Sequence, residues 1–171
     1  MNFNQFSFIT DKTEAKLALV DFIAEKNWGI AEEDFNKPWG GYFRIADENL
    51  NEFIDLFFPE HSSLKTSEQK LRPKFLLVAP NARLSWQYHH RRAEVWKVLF
   101  GPIGVMQNTS DDQTKPTWHQ TGELIEHDKE IRHRLMGADN WGLVAEIWKH
   151  TDPELPSEED DIVRVQDDYG R

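Results

Sequence analysis

The feature that most constrains the fold is a series of short apolar runs in the second half of the chain. Gly, Pro, Asn and Asp separate these runs, and such residues favour turns over regular structure. Several short strands with turn residues between them indicate an all-β barrel or sandwich. We predict strands at residues 74–79, 83–89, 95–100, 103–107 and 143–148. A last strand is predicted at residues 162–165, where apolar and polar positions are bounded by acidic turns.

The first half of the chain carries two helical patterns. Asp11 and Glu14 have the spacing of a capping box, and the apolar residues after them predict a helix over residues 12–27. A second helix is predicted near residues 48–58, where apolar residues recur at helical spacing and Pro59 ends the pattern. Residues 61–70 are polar and show no period, so we expect a surface loop there.

Composition excludes several classes of protein. The chain has 171 residues and a formal net charge of −10, which argues against nucleic acid as a partner because nucleic-acid binding normally needs a basic face. There is no cysteine, so any metal must use nitrogen and oxygen ligands, and a reducing cytoplasm is the expected compartment. We find no signal peptide and no stretch near the ~20 apolar residues of a membrane helix. We therefore expect a soluble cytoplasmic protein with no membrane partner.

The clearest chemistry lies in the stretch from Gln87 to Glu94. Residues two apart on a strand share a face, so Gln87 and His89 would point the same way. A turn at residues 90–92 would let Glu94 join them from the next strand, and His133 would complete the set from a third. These amide, imidazole and carboxylate groups form a mixed site that suits zinc, iron, manganese, cobalt or nickel. The alternative is a histidine-rich surface hairpin without metal, and spacing alone does not distinguish the two.

This spacing resembles the two sequence motifs of the cupin superfamily. The first motif usually reads Gly, His, His, Glu and Gly, and its length is followed here by Asn81, Gln87, His89, Glu94 and Gly101. The second motif is followed in length by Gly122, Asp128, Glu130 and His133. Asp128 and Glu130 stand where that motif usually has Pro and Gly, which weakens the expectation of a turn but leaves the histidine in place. The resemblance implies a cupin (jelly-roll) barrel with one divalent ion, zinc by preference, held by Gln87, His89, Glu94 and His133.

A narrower family fits better. Residues 82–94, with Gln at the position of the first histidine, resemble the cupin domain of type II phosphomannose (mannose-6-phosphate) isomerases. Residues 37–40 resemble that family's Pro-Trp-Gly opening, and residues 159–171 are very close to its C-terminus. The match does not cover the N-terminal helix or residues 46–71.

The resemblance implies a single cupin domain over residues 1–171. Within it we expect an N-terminal helical extension at residues 1–36, an insertion at residues 46–71 and a barrel core at residues 72–171. The insertion is expected either to cap the barrel mouth or to form a contact in a homodimer.

The function implied by the resemblance is aldose–ketose isomerisation of a phosphorylated sugar such as mannose 6-phosphate. The reaction needs a divalent cation, a base that takes a proton from carbon and a cation that fixes the phosphate. For these catalytic roles we select Lys74, Arg83 and Glu146. Arg83 has the strand parity of the ligands, Lys74 matches a lysine of the family, and Glu146 lies in an apolar strand where an unpaired charge is costly. The alternative is that Lys74 and Arg83 extend to solvent and that Glu146 lies on a solvent-exposed face of a sheet.

Two other functions stay open because cupins host many chemistries. One is a non-catalytic cupin that binds a sugar or a metal. The other is a metal-dependent cupin isomerase or oxygenase with an unphosphorylated substrate. The histidines without ligand spacing are expected at the surface, and they are His61, His119, His127 and His150.

Overall fold

Strands dominate residues 3–66, 70–152 and 154–170, the part of the chain that this computed structural model describes. The helices are α1 (Lys12–Glu25) and α2 (Leu50–Phe57), with 3₁₀ helices at Asn4–Ser7, Asp47–Asn49 and Pro59–Thr66. The strands are β1 (Ile30–Asp34), β2 (Gly40–Ile45), β3 (Leu71–Val78), β4 (Trp86–Tyr88), β5 (Arg92–Phe100), β6 (Ile103–Asn108), β7 (Thr117–His119), β8 (Leu124–His127), β9 (Arg132–Gly137), β10 (Gly142–His150) and β11 (Val163–Gln166). Within the described residues no helix has both the length and the apolar character needed to cross a membrane.

The strands form two antiparallel sheets. The six-stranded sheet has the order β1-β2-β3-β10-β5-β8, and the five-stranded sheet has the order β11-β4-β9-β6-β7. The predicted C-terminal strand is confirmed, since β11 pairs with β4 and brings Val163 opposite Tyr88. The C-terminal strand thereby closes the edge of the sheet that carries the Gln87-x-His89 pattern.

The central strands of the six-stranded sheet are buried on both faces. Phe75 of β3 belongs to the hydrophobic cluster beneath the helices, whereas its neighbour Leu76 belongs to the cluster between the two sheets. In α2, the rings of Phe53 and Phe57 lie 5.1 and 5.5 Å from the ring of Phe75. Burial of one such side chain stabilises the fold by about 1.5–3 kcal/mol. Cover on both faces explains why the central strands read as nearly continuous apolar runs.

The N-terminal helix begins where the capping residue predicts. The Asp11 carboxylate accepts hydrogen bonds from the backbone N–H groups of Thr13 and Glu14, at 2.8 and 3.1 Å. The helix ends at Glu25, and the predicted helical extension of residues 1–36 is wrong beyond that point, because Ile30–Asp34 forms an edge strand instead. This strand was not predicted because its residues are mostly acidic and exposed.

The described part of the expected insertion, residues 46–66 and 70–71, does not cap the barrel mouth. Its helix α2 places Phe53, Ile54 and Phe57 against the outer face of the six-stranded sheet, where apolar surface needs cover. The predicted loop at residues 61–70 is wrong in part, since Pro59–Thr66 forms a 3₁₀ helix. Residues 67–69 of that loop and Arg171 of the C-terminal motif lie outside the described residues.

Candidate metal centre and its cavity

Three ligand-type side chains converge at one end of the barrel. The Glu94 Oε1 atom lies 3.2 Å from Nε2 of His89, and its Oε2 atom lies 3.4 Å from Nε2 of His133. His89 follows β4, Glu94 lies in β5 and His133 lies in β9, so both sheets contribute. All three side chains are buried, and their ligand atoms lie within 4.8 Å of one another. The chain therefore contains a buried His–Glu–His group that could bind a metal.

Each histidine is oriented by a backbone carbonyl group. Nδ1 of His89 lies 2.5 Å from the carbonyl oxygen of Asp161, and Nδ1 of His133 lies 2.9 Å from that of Ile131. Because Nδ1 donates to the carbonyl oxygen, Nε2 is left with a lone pair that points at Glu94. Nε2 of His133 has no hydrogen-bond partner within the described residues, which is unusual for a buried polar atom.

The residues fit a divalent ion. Two ligand atoms that are each about 2.1 Å from one ion lie about 3.0–3.4 Å apart, depending on the geometry, and the two Glu94 distances agree with that range. An ion bound there would also satisfy Nε2 of His133. Burial would raise the pKa of the Glu94 carboxyl, but its charged and hydrogen-bonding neighbours, among them the donating Arg92 guanidinium, hold it well below its usual range. Glu94 is therefore ionised, as a metal ligand must be.

Gln87, the fourth predicted ligand, lies beside this group. It is directly opposite His133 in the pairing of β4 with β9, so both side chains lie on the same face of the sheet. The Gln87 side chain lines the cavity, and its Oε1 atom accepts a hydrogen bond from the Ser85 hydroxyl at 2.5 Å. This bond orients the amide oxygen, which is the only atom of Gln87 that could ligate a cation.

Arg92 is a site residue that the sequence reasoning missed. Its Nε atom donates to Oε1 of Glu94 at 2.8 Å, and its second guanidinium nitrogen lies 3.2 Å from Nε2 of His89. The guanidinium also lies 3.4 Å above the Trp148 ring. The prediction placed Arg92 in a turn, but β5 begins at this residue. Arg92 and Glu94 are two residues apart on the same strand, so their side chains lie on the same face. This spacing could have identified Arg92 as a site residue from the sequence.

His127 and His150 are also buried, so their predicted surface position is wrong. His127 is opposite Glu94 in the pairing of β5 with β8, and its ring stacks on that of His133 at 4.5 Å. Burial, followed by the nearby His133, lowers the pKa of His127 well below its usual value, so the ring is neutral. Ile125, two residues before His127 on β8, lies in the core between the sheets. Because residues two apart on a strand share a face, this apolar residue could have predicted that His127 is buried.

A cavity that is open at its mouth reaches the metal-ligand group. Its walls combine aromatic rings with basic side chains. The aromatic residues are Trp39, Tyr42, Trp96 and Trp148, and the basic residues are Lys37, Lys74, Arg92 and Arg164. Such a lining offers flat apolar faces for a ring and positive charge for an anionic group.

Lys74 and Glu146 both line this cavity and are opposite each other in the pairing of β3 with β10. Nζ of Lys74 lies 3.6 Å from the centroid of the Trp148 ring and forms an ion pair with Glu159. The two Glu146 oxygens accept hydrogen bonds from the indole N–H groups of Trp96 and Trp148, at 2.8 and 2.9 Å. Burial, and then the neighbouring Glu94 carboxylate, raise the pKa of Glu146 to about 8. The expected exposure of Lys74 and Glu146 in the alternative interpretation does not occur.

Arg83 does not line the cavity, and the expectation that it faces the barrel interior is wrong. Its guanidinium pairs with Asp168 and stays 41% exposed. The parity argument fails because β4 begins only at Trp86, and Arg83 joins the sheet through an isolated bridge to Met136. Arg164 of β11 lines the cavity instead, and within the described residues it has no ion-pair partner.

Two turns keep the backbone shape that glycines usually give the cupin motifs. Asn81 has φ 56° and Glu130 has φ 66°, both in the left-handed region, although neither residue is Gly. Asn tolerates this conformation, whereas Glu is strained by it. The backbone N–H of Glu130 donates to the carbonyl oxygen of His89 at 2.8 Å, so this turn is tied to the metal-ligand group.

Sequence comparison gives a family and two relatives. The family described as mannose-6-phosphate isomerase C-terminal matches residues 47–167, so the expectation that residues 46–71 lie outside the family match is wrong for nearly all of them. The xanthan biosynthesis protein XanB of Xanthomonas campestris pv. campestris is 30% identical over 135 residues, which are 79% of this chain and 23% of that protein. The alginate biosynthesis protein AlgA of Pseudomonas aeruginosa is 36% identical over 102 residues, which are 60% of this chain and 20% of that protein. The chain thus spans less than a quarter of the length of these relatives.

Solved structures show the same fold. The oxalate decarboxylase of Lactobacillus farciminis superposes with a TM-score of 0.55 at 14% identity, covering 78% of this chain and 33% of that one. The capsular polysaccharide assembling protein CapF of Staphylococcus aureus gives 0.52 at 12% identity, with the same coverage of 78% and 33%. These neighbours are cupins, so the predicted cupin fold is confirmed.

Proposed function

Because this chain belongs to the family of mannose-6-phosphate isomerase C-terminal domains, we propose that it is a metal-dependent aldose–ketose isomerase for a phosphorylated sugar such as mannose 6-phosphate. The observation that carries the proposal is the buried His–Glu–His group at the end of a cavity lined by aromatic rings and cations. Isomerisation of a sugar phosphate needs a divalent cation, a base that takes a proton from carbon and a cation that fixes the phosphate, and this cavity offers a residue for each role.

The substrate is held by the cavity walls. The flat faces of Trp39 and Trp96 pack against the sugar ring and exclude water from it. Arg164 binds the phosphate, because its guanidinium is available and forms paired hydrogen bonds with phosphate oxygens. Lys74 adds a second positive charge from the wall.

The proton transfer is assigned to Glu146. A divalent ion held by Gln87, His89, Glu94 and His133 would supply the positive charge that stabilises the enediolate oxygens. Glu146 takes the proton from one carbon and returns it to the neighbouring carbon, for which a pKa of about 8 suits a base at neutral pH. The two indole N–H bonds fix its carboxylate in the wall and leave its remaining lone pairs for the substrate.

The direct test is a coupled assay on protein reloaded with zinc, nickel, manganese or iron. We expect interconversion of mannose 6-phosphate and fructose 6-phosphate, or the equivalent reaction of a glucose or heptose phosphate. Arg164→Ala should raise KM for the phosphorylated substrate by roughly 10- to 100-fold, since a lost hydrogen bond to a charged group costs about 1.5–3 kcal/mol. Arg83→Ala is the matched control and should leave KM nearly unchanged, because Arg83 lies outside the cavity.

A non-catalytic sugar- or metal-binding cupin is the second candidate. The observation in its favour is that Arg92 already contacts Nε2 of His89 and Oε1 of Glu94, so the ligand atoms are partly satisfied without an ion. No turnover of any sugar phosphate after metal loading, together with calorimetric binding of a sugar, would decide for this candidate.

A further inference from the structure

The ammonium group of Lys74 is buried in the cavity wall. Its side chain is 3% exposed, and its Nζ atom lies 3.6 Å from the ring centroid of Trp148 and 4.5 Å from that of Tyr42. A buried cation needs a counter-charge. The carboxylate of Glu146, opposite in the sheet, already accepts a hydrogen bond on each oxygen. The ion-pair partner of Lys74 is Glu159.

Glu159 differs from the other acidic residues of the cavity. It lies in the segment of residues 157–161 that precedes β11, and its side chain is 47% exposed while it lines the cavity. Within the described residues, Lys74 is the one side chain to which Glu159 is bound. The Glu159 carboxylate therefore has water on one side and a buried cation on the other.

The backbone around Glu159 is fixed independently of this ion pair. The buried Asp161 carboxylate accepts hydrogen bonds from the backbone N–H groups of His90 and Arg91, at 3.1 and 3.0 Å. Arg92 donates to the carbonyl oxygen of Glu158 at 3.2 Å. The Glu159 side chain can consequently turn into solvent by a change of rotamer, without movement of the segment that carries it.

We propose that Glu159 occupies the position on Lys74 that the phosphate of a bound ligand takes, so that phosphate binding and release of Glu159 are one exchange. Release of Glu159 from Lys74 costs less than release of a fully buried partner would, because the Glu159 side chain is 47% exposed and water solvates the released carboxylate. A dianionic phosphate carries more charge than the carboxylate, and Arg164 lines the same cavity as a second cation for it. A neutral sugar carries no negative charge that could replace the Glu159 carboxylate beside Lys74. Glu159 is thus a specificity-determining residue that favours phosphorylated ligands, an inference that rests on the proposed function.

The test compares Glu159→Gln with Glu158→Gln in the full chain loaded with a divalent ion. Both changes remove one negative charge from adjacent residues, but the Glu158 carboxylate pairs with Arg72 and does not line the cavity. Titration calorimetry with inorganic phosphate should show binding about fivefold tighter in Glu159→Gln, since the competing carboxylate is gone and its exposed position limits the size of the effect. Glu158→Gln should match the unchanged protein, and the affinity for neutral mannose should be the same in all three proteins.

Lys74→Gln added to Glu159→Gln should remove the gain, since the exchange requires the ammonium group. Equal or weaker phosphate binding by Glu159→Gln, or no phosphate binding by any of the proteins, would overturn the exchange. The isomerase assay is a separate measurement that the exchange does not control. Turnover of a sugar phosphate without tighter phosphate binding in Glu159→Gln keeps the proposed function and rejects the exchange. Tighter phosphate binding without turnover supports the exchange and rejects the isomerase.

Discussion

The ring of His89 donates a hydrogen bond to the backbone carbonyl oxygen of Asp161, which is 2.5 Å away in space and 72 residues away in sequence. The Asp161 carboxylate also accepts from the backbone N–H of His90 and from the Ser157 hydroxyl. The segment before β11 thus orients a metal-ligand candidate from outside the strand that carries it. The C-terminus is part of the site as well as part of the sheet.

Truncation after Pro156 should therefore affect both stability and metal binding. It removes β11 and every contact of residues 157–161, so we expect the melting temperature to fall by several degrees. Metal affinity should fall by about 10- to 100-fold, as is typical when a bond that orients a ligand is lost. Scanning calorimetry and a zinc titration measure the two effects. Truncation after Asp168 is the control, since it keeps these contacts, and an unchanged melting curve after the longer truncation would show that the tail contributes nothing.

Metal content tests the candidate ligands directly. Protein purified without chelator should carry about one divalent ion per chain, as convergent nitrogen and oxygen ligands imply. His133→Ala should abolish tight binding, whereas Gln87→Ala should only weaken it because a neutral amide contributes less charge. His119→Ala provides a control, since its imidazole pairs with Glu123 away from the cavity. Elemental analysis is the measurement, and an ion retained by His133→Ala would remove His133 from the ligand set.

Glu146 should make the stability of the metal-free protein depend on pH. Its folded-state pKa of about 8 lies above the ordinary value of 4.5, so the folded protein keeps a proton that the unfolded chain releases. The corresponding stabilisation is complete below pH 4.5 and is lost as the pH rises to about 8. In Glu146→Gln, which does not titrate, the melting temperature should fall less over that interval. Parallel pH curves for the two proteins would mean that the Glu146 pKa is not raised.

Glu130 should be strained by its backbone conformation. At φ 66° a side chain costs about 1 kcal/mol or more that glycine avoids. Glu130→Gly should therefore be more stable than Glu130→Ala, by roughly 1 kcal/mol in urea unfolding. Both variants lose the contact with His90, so the comparison isolates the backbone. Equal stability of the two variants would contradict the strain.

Local patterns predicted the part of the site that lies on consecutive strands. Strand parity and the motif spacing placed Gln87, His89, Glu94 and His133 together, because alternation along a strand is a short-range property. The prediction for Arg83 was wrong because alternation holds only within a continuous strand, and the strand is interrupted between Arg83 and β4. No local signal existed for the contact between Lys74 and Glu159, which are 85 residues apart. The packing of α2 on the outer face of the six-stranded sheet could not be predicted either, because the sequence of an amphipathic helix does not specify which surface the helix covers.

Strand β5 alternates residues that face the cavity with residues that pack beneath the helices. Arg92, Glu94 and Trp96 line the cavity, while Val95 and Leu99 belong to the cluster under α1 and α2. In protein engineering, this interleaving means that the ligand geometry and the helical layer cannot be redesigned separately. Variation of specificity is better directed to Glu159 and Arg164, which line the cavity from outside the six-stranded sheet and do not hold His89. In evolution, the same arrangement would let these two cavity positions diverge between substrates while the sheet beneath them stays nearly fixed.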